Sequence, residues 1–197
     1  PSAQVNGVAF SPQGDFIAIA VNSSPFIEVY PFDYFTGFGT KVSAPGTLPT
    51  NAAPTLGGKV IAWRPQGDWI AMGMTGGNFI YLIPFDRSAG TFGSPAFLGP
   101  PFFLPTGNIN GLAWSPDGQF LAGASSASQF LYVWAFNSSA GISLPALPFD
   151  GGPPGGQVND VAWHPSGELL SLSLNGSPYV MTYTVPRVVK NYMKLNE

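Results

Sequence analysis

The stretch Ile109–Phe136, INGLAWSPDGQFLAGASSASQFLYVWAF, contains the unit from which this chain is built. Two apolar and aromatic runs flank the tetrapeptide 115–118, Ser-Pro-Asp-Gly, and a third run follows a polar segment. Proline sets the backbone angle at the first central position of a turn, and glycine two residues later adopts a conformation that other residues resist. The stretch therefore predicts strands over 110–114, 120–124 and 130–136, with a tight turn between the first two.

The same unit occurs four times along the sequence. Its turns read AFSPQG, AWRPQG, AWSPDG and AWHPSG, and their prolines are 53, 51 and 49 residues apart: Pro12, Pro65, Pro116 and Pro165. The third strands are predicted to begin at matched aromatic residues: Phe26, Phe79, Phe130 and Tyr179. A fixed period of this length is typical of repeat architectures, in which each copy forms one supersecondary unit.

Small residues recur on one side of the predicted second strand. They occupy two matched positions in every copy, which are Ala18, Ala71, Ala122 and Ser171, and then Ala20, Gly73, Ala124 and Ser173. Larger residues alternate with them, so the strand has two different faces. We infer that the small face lets each sheet approach its neighbour closely.

Segments after the third strand, such as 37–50 and 91–106, supply a weaker fourth strand and a Pro-rich loop. Four strands in a repeat of about 40–50 residues predict a β-propeller. We expect an all-β fold with four blades of about 50 residues, the last of them incomplete. The predicted bounds are 5–53, 58–107, 109–156 and 158–185 for the blades and 186–197 for a C-terminal tail.

The AWSPDG turn, followed by FLAGA and LYVW, resembles a WD-repeat propeller blade, and the resemblance in pattern covers nearly the whole chain. The Gly-His signature of such blades is absent, and Trp134-Ala135 stands where they end in Trp-Asp. The combination FSPQGDFIAIAVNSSPFIEVYPFD…TGFGTKVSAPGTLPT resembles more closely the propeller repeats of bacteriophage structural proteins. This second resemblance implies a virion protein. Its partners would be other virion proteins, copies of itself, or a host-surface glycan or protein.

Composition excludes several classes of partner. The chain has 7 basic and 10 acidic residues, which leaves no basic surface for nucleic acid. No apolar run approaches the ~18–20 residues of a transmembrane helix, and no signal-peptide pattern is present. The absence of cysteine excludes disulfides. We therefore expect no nucleic-acid partner and no membrane insertion, with a location in a virion or, outside the phage resemblance, in the extracellular space or the cytoplasm.

No catalytic constellation is evident in the sequence. His164 is the single histidine and occupies a turn position, which disfavours zinc sites and Ser-His-Asp triads. Asp15 and Asp68 follow turn glycines, and Asp33 and Asp86 follow third strands, so these carboxylates either cap turns or line a channel that binds a cation. We expect a non-catalytic structural or recognition module without cofactor or metal. The alternatives are a lactonase- or glycosidase-like propeller hydrolase with a channel metal, and a cellular interaction scaffold.

Aromatic residues among prolines in the inter-repeat loops are the candidate binding residues: Phe97, Phe102, Phe103 and Phe149. Aromatic side chains in such loops contact proteins or stack on sugars, although they also cover blade edges as ordinary packing. In the tail, Val188, Tyr192 and Leu195 fall at helical spacing and form a candidate assembly segment. The alternative for the tail is a frayed terminus.

Ring closure is unresolved by the sequence. Only four residues precede the first predicted strand, and the open sides of the first and last blades are expected to expose apolar faces that favour pairing. Four blades closing alone, two chains sharing one ring, and a longer polypeptide with more blades are the three solutions. We favour a partner or a missing remainder over a lone four-bladed ring.

Overall fold

A computed structural model of the protein describes residues 1–46, 48, 57–75, 80–97, 105, 107–138, 141–143 and 154–185. Within these ranges all regular elements are β-strands, and no helix is present that could cross a membrane. The strands in chain order are β1 (Val5–Phe10), β2 (Phe16–Val21), β3 (Ile27–Asp33), β4 (Gly37–Phe38), β5 (Gly57–Trp63), β6 (Trp69–Thr75), β7 (Ile80–Asp86), β8 (Thr91–Phe92), β9 (Ala96–Phe97), β10 (Ile109–Trp114), β11 (Phe120–Ser125), β12 (Leu131–Asn137), β13 (Gly141–Ser143), β14 (Val158–Trp163), β15 (Leu169–Leu174) and β16 (Val180–Thr184).

The strands form four separate sheets, each built in chain order from antiparallel neighbours. The first and third sheets are β1–β2–β3–β4 and β10–β11–β12–β13, the second is β5–β6–β7–β8 with β9 also paired to β7, and the fourth is β14–β15–β16. The first strands of consecutive sheets lie beside each other, as blades do around a propeller axis. The predicted fold is therefore confirmed: an all-β propeller of four WD-like repeats, whose last blade has three strands in the described part of the chain.

The turn between the first two strands has the predicted chemistry in each blade. In blade three the N–H of Gly118 donates to the carbonyl of Ser115 at 2.8 Å, and the N–H of Phe120 donates to the Ser115 hydroxyl at 2.9 Å. The turn glycines lie in the left-handed region, with φ of 76°, 76°, 68° and 69° at Gly14, Gly67, Gly118 and Gly167. Glycine is required there because other residues adopt this conformation at a cost.

The third strands begin one residue later than predicted wherever the start is described. Phe26, Phe130 and Tyr179 have φ of 65°, 27° and 57°, so they complete the preceding turn and cannot join the pleated strand. Phe79 lies outside the described residues.

The fourth strands are short for an identifiable reason. In blade two the carbonyl of Pro84 accepts the N–H of Gly93 at 2.9 Å, so this side of Pro84 faces the fourth strand. Proline has no N–H to donate on the same side, and the ladder breaks between β8 and β9. Ala135 is the matched residue of blade three, and there β13 pairs continuously over three residues, from Asn137↔Gly141 to Ala135↔Ser143.

The apolar core lies between sheets. Three of its clusters fill the contacts of blade one with two, two with three, and three with four. The small second-strand residues of blades one to three lie in these contacts, and a Cβ added to Gly73 would approach Ile109 Cγ2 of the next blade to 2.6 Å. The inference that small residues permit close approach of the sheets is thus confirmed.

Candidate protein interface on the first blade

Each internal joint between blades contains one indole hydrogen bond. The tryptophan that ends each first strand donates from Nε1 to an alanine carbonyl of the preceding blade: Trp63 to Ala9 (3.1 Å), Trp114 to Ala62 (3.3 Å) and Trp163 to Ala113 (3.1 Å). Each bond gives a backbone carbonyl of one blade a donor from the next blade. The matched tryptophans and alanines of the sequence therefore act as a pair across blades.

Aromatic packing completes the joint. The ring of Phe16 in blade one packs edge-on against Phe85 of blade two, with centroids 5.1 Å apart, and Trp69 packs in the same way against Phe136 of blade three at 5.2 Å. Each phenylalanine also contacts the tryptophan of its own blade, as Trp63 and Phe85 do at 5.2 Å. An aromatic pair on one blade thus receives a third ring from the blade before it.

Polar side chains add further links across the joints. The Asn6 side chain donates to the carbonyl of Gly58 at 2.8 Å, and Asn110 donates to the carbonyl of Val158 at the same distance. Arg64 of blade two donates from Nε to the carbonyl of Gly118 in blade three at 3.0 Å. These contacts fix the register of neighbouring blades, because each one requires a particular pair of residues to lie opposite.

The first blade exposes the face that every later blade buries. Val8 is 64% exposed, whereas the matched residues Ile61, Leu112 and Val161 are 6%, 7% and 4% exposed. Phe10 stands at the tryptophan position and is 53% exposed. The sequence places a core-type surface on this side of blade one, and no described residue covers these two side chains.

Aromatic rings extend this exposed surface along the blade. Phe10 lies edge-on to Phe32 with centroids 5.2 Å apart, and Phe32 lies edge-on to Phe38 at 5.7 Å. We call the surface formed by Val8, Phe10, Phe32 and Phe38 the aromatic face. Two further aromatic residues, Tyr34 and Phe35, are exposed at the tip of the adjacent turn. Exposed apolar surface of this kind marks interaction sites on soluble proteins.

A buried charged network lies beside the aromatic face, on the same side of blade one. The Glu28 side chain is fully buried and accepts hydrogen bonds from the hydroxyls of Ser2 (2.6 Å) and Tyr30 (2.8 Å) and from Lys41 Nζ (3.1 Å). Burial raises the pKa of this carboxyl, but the three hydrogen bonds outweigh burial and lower the pKa to about 2. Burial and the adjacent carboxylate together raise the pKa of Tyr30 to about 12. Glu28 therefore stays charged and Tyr30 stays neutral at physiological pH.

The acidic residues after the third strands cap turns. Asp33 Oδ1 accepts the N–H groups of Phe35 and Thr36, both at 2.9 Å, and Asp86 Oδ1 accepts the N–H and the hydroxyl of Ser88 at 2.9 and 2.7 Å. The hydrogen bonds that each carboxylate accepts lower the pKa of Asp33 and of Asp86. Of the two roles that the sequence allows, the structure displays turn capping.

The acidic residues after the turn glycines form ion pairs. Asp15 pairs with Arg87 of the next blade at 2.5 Å, and Asp68 pairs with Arg64 of its own blade at 2.6 Å. His164 accepts the N–H of Ser166 at 3.1 Å, as a turn residue does. In the described ranges no three acidic or histidine side chains are grouped as metal ligands.

The predicted binding residues are not brought together by the described structure. The backbone of Phe97 lies in β9 opposite Tyr81. The remaining ones, Phe102, Phe103, Phe149, Val188, Tyr192 and Leu195, lie outside the described residues and stay predictions. The sequence predicted an apolar open side on blade one, and the structure shows it, but the sequence analysis did not name its residues, although Phe10 in place of tryptophan in the first copy was a usable signal.

Comparison with known proteins agrees with the blade pattern. The family model for the WD domain, G-beta repeat, matches residues 102–135. No curated protein matches the sequence. These findings and the geometry define a WD-like β-propeller module.

Solved structures share the fold at low identity. A putative 6-phosphogluconolactonase from Bacteroides uniformis is 18% identical, with a TM-score of 0.68, over 94% of this chain and 55% of its own. The β-propeller domain of Cps50 (Swd1) from Myceliophteria thermophila is 14% identical, with a TM-score of 0.61, over 93% of this chain and 54% of its own. A chain of a mitotic checkpoint complex is 20% identical, with a TM-score of 0.60, over 94% of this chain and 50% of its own. This chain therefore spans about half the length of the structures that it matches.

Proposed function

We propose that this chain is a non-catalytic protein-interaction module whose aromatic face binds a protein partner. One observation carries the proposal: Val8 and Phe10 are exposed at positions where the other three blades bury their matched residues. Blade one carries the residue types that form the joints between the other blades. In this proposal, the partner protein supplies the side chains that complete the joint.

Simple energetics support an occupied aromatic face. Burying a large apolar side chain contributes about 1.5–3 kcal/mol, and the face presents several such side chains side by side. Aromatic residues in central, desolvated positions contribute most of the binding energy in protein interfaces. The surface has too little charge to be read as a nucleic-acid site, because the whole chain carries only seven basic residues.

The comparisons support an interaction role at the level of the fold. WD-like blades and a fold neighbour found in a multi-protein complex are compatible with a module that works by assembly. One solved structure that shares the fold is described as a putative 6-phosphogluconolactonase, so a propeller hydrolase is the alternative proposal. The described aspartates favour the non-catalytic proposal, because turn N–H groups or arginines hold the four that the sequence singled out.

The narrower proposal is that the assembly is a phage particle. It is supported by the resemblance of the repeated sequence pattern to the propeller repeats of phage structural proteins. In this proposal the location is the virion, and the partner is another virion protein or a host-surface molecule.

The test compares Val8→Asp with Thr182→Asp, a matched change on an exposed strand of blade four. Both are made in the full-length protein, and the native mass of the assembly purified from its own source is measured by light scattering. A buried charge without a partner disrupts an interface. We expect Val8→Asp to reduce the mass to that of the free protein, while Thr182→Asp leaves it unchanged. An unchanged mass in both variants would refute the proposed function.

A further inference from the structure

The outward sides of the first and fourth described blades differ in chemistry. Blade one ends in the aromatic face, which is apolar. Blade four ends in the opposite side of its sheet, which we call the outer face, formed by Leu169, Ser171, Ser173 and Thr182. In blades one to three this side of the sheet receives the next blade, so the matched residues of each internal joint give a direct standard of comparison.

The outer face departs from the internal joints at four matched positions, whereas Val180 on the same side stays apolar like Ile27, Ile80 and Leu131. Leu169 replaces the ring that packs onto the next blade in Phe16, Trp69 and Phe120. Ser171 replaces Ala18, Ala71 and Ala122; Ser173 replaces Ala20, Gly73 and Ala124; Thr182 replaces Val29, Leu82 and Val133. At three of these four positions, a small or apolar residue that the internal joints bury is thus replaced by a hydroxyl-bearing one.

The hydroxyl-bearing residues of the outer face are exposed or half-buried. Thr182 is exposed, and its hydroxyl lies 3.2 Å from the hydroxyl of Ser171 on the neighbouring strand. An open groove of about 240 Å³ runs over the face and is lined by Asp160, Ala162, Ser171, Ser173 and Val180, among others, with mainly apolar atoms beside the hydroxyls. Burying these hydroxyls under an apolar blade costs free energy, because a joint of the internal type offers them no new partners.

We propose that assembly on this chain is one-sided. The aromatic face of blade one receives a WD-like blade of a partner chain, and the outer face of blade four is a hydrated end that no such blade covers. This inference rests on the proposed function and names its partner. Polar outer faces at terminal repeats are the means by which repeat arrays stop growing and remain soluble.

The internal joints specify what the partner blade presents. It carries an aromatic residue at the start of its second strand and small residues at the next two positions on the same side, as Phe16, Ala18 and Ala20 do. The ring of Phe10 has no N–H, so this joint relies on packing in place of the indole hydrogen bond. The fourth blade of a second copy does not fit, because its outer face presents Leu169, Ser171 and Ser173 at those positions.

The test gives blade four the surface that the partner is proposed to have. The variant Leu169→Phe, Ser171→Ala, Ser173→Ala and Thr182→Val restores the internal pattern, and light scattering measures the mass of this chain at about 50 µM. We expect the unaltered chain to give 20.7 kDa and the variant to give a multiple of that mass. Adding Val8→Asp to the variant is expected to return the mass to that of one chain. Circular dichroism and cooperative unfolding establish that each variant is folded.

Two results overturn the inference. A folded variant that stays at the mass of one chain means that the aromatic face does not accept an apolar blade. An unaltered chain that associates, and that Ser173→Arg disperses, means that the outer face is not a hydrated end. If the fourfold variant does not fold, Ser171→Ala with Thr182→Val serves in its place, with the same expected and contrary results. The proposed function is decided by the effect of Val8→Asp on the native mass, whereas these results concern the surface of blade four, so failure of the inference is distinguishable from failure of the proposed function.

Discussion

The indole N–H of Trp63 donates a 3.1 Å hydrogen bond to the carbonyl oxygen of Ala9 in the preceding blade. We expect Trp63→Phe to lower the free energy of unfolding by about 1–3 kcal/mol, because the carbonyl loses its donor while a ring still fills the joint. Urea denaturation at pH 7 measures the change. The matched control is Trp69→Phe, which keeps a ring against Phe136 and leaves the Trp63 bond in place. Equal costs for the two variants would contradict a specific role for the hydrogen bond.

Phe10 and Trp63 occupy the same place in successive blades, but only Trp63 is buried. Trp63→Ala is expected to cost about 3–5 kcal/mol, as large-to-small changes in a core do. Phe10→Ala in the same chain is expected to cost less than about 1 kcal/mol, because the ring of Phe10 is exposed and its described ring contact is with Phe32. Thermal and urea unfolding of both variants make the comparison. A cost at Phe10 equal to that at Trp63 would mean that the chain itself already covers the aromatic face.

Glu28 makes the stability of blade one depend on pH. Its pKa is about 2 in the folded chain, against 4.5 for the free group, so its contribution is fully present above pH 4.5 and is lost as pH falls toward 2. Between pH 7 and pH 3 this group accounts for a loss of about 2 kcal/mol. We expect Glu28→Gln to be less stable at pH 7 and to show a correspondingly smaller loss at pH 3, measured by urea unfolding at both values. A pH dependence identical to that of the unaltered chain would exclude the network as its source.

Gly73 lies where blades two and three approach closely. A Cβ at this position meets Ile109 Cγ2 at 2.6 Å and Val60 Cγ1 at 2.8 Å, and both groups belong to β-branched side chains with little freedom to move. Gly73→Ala is therefore expected to destabilise the chain by about 1–3 kcal/mol through overpacking. Gly176→Ala is the control, since nothing lies within 4 Å of a Cβ there. A neutral result at Gly73, measured as a shift in melting temperature relative to the control, would show that the joint can widen.

The fold could be predicted because its determinants are local and repeated. The turn of Pro116 and Gly118 and the small side of the second strand recur in matched positions, and each requires the same backbone wherever it appears. The start of the third strands was predicted one residue too early, since an aromatic residue such as Phe26 reads as strand while its backbone is left-handed. Nothing in the composition of that residue signals a positive φ.

The candidate site was harder to predict because it depends on whether a neighbouring blade covers a residue, and the type of residue does not show this. Phe10 reads as an ordinary member of the repeat, and it is exposed because no blade among the described residues packs against it. The sequence directed attention to the loop aromatics, such as Phe97 and Phe103, whose rings lie outside what the structure describes. The polar outer face could have been found by comparing Ser171 with its three matched alanines. A serine alone is a weak signal, because serine is common in exposed strands.

The measurement that tests the central claim most directly is site-specific photocrosslinking of the full-length protein in its own source. A benzophenone amino acid is placed at position 8 and, as a control, at position 182, and cross-linked peptides are identified by mass spectrometry. We predict an adduct from position 8 to a strand of a blade in a partner polypeptide, and none from position 182. Adducts from position 182 alone, or only within the same chain, would contradict the account of the aromatic face as a protein-binding surface.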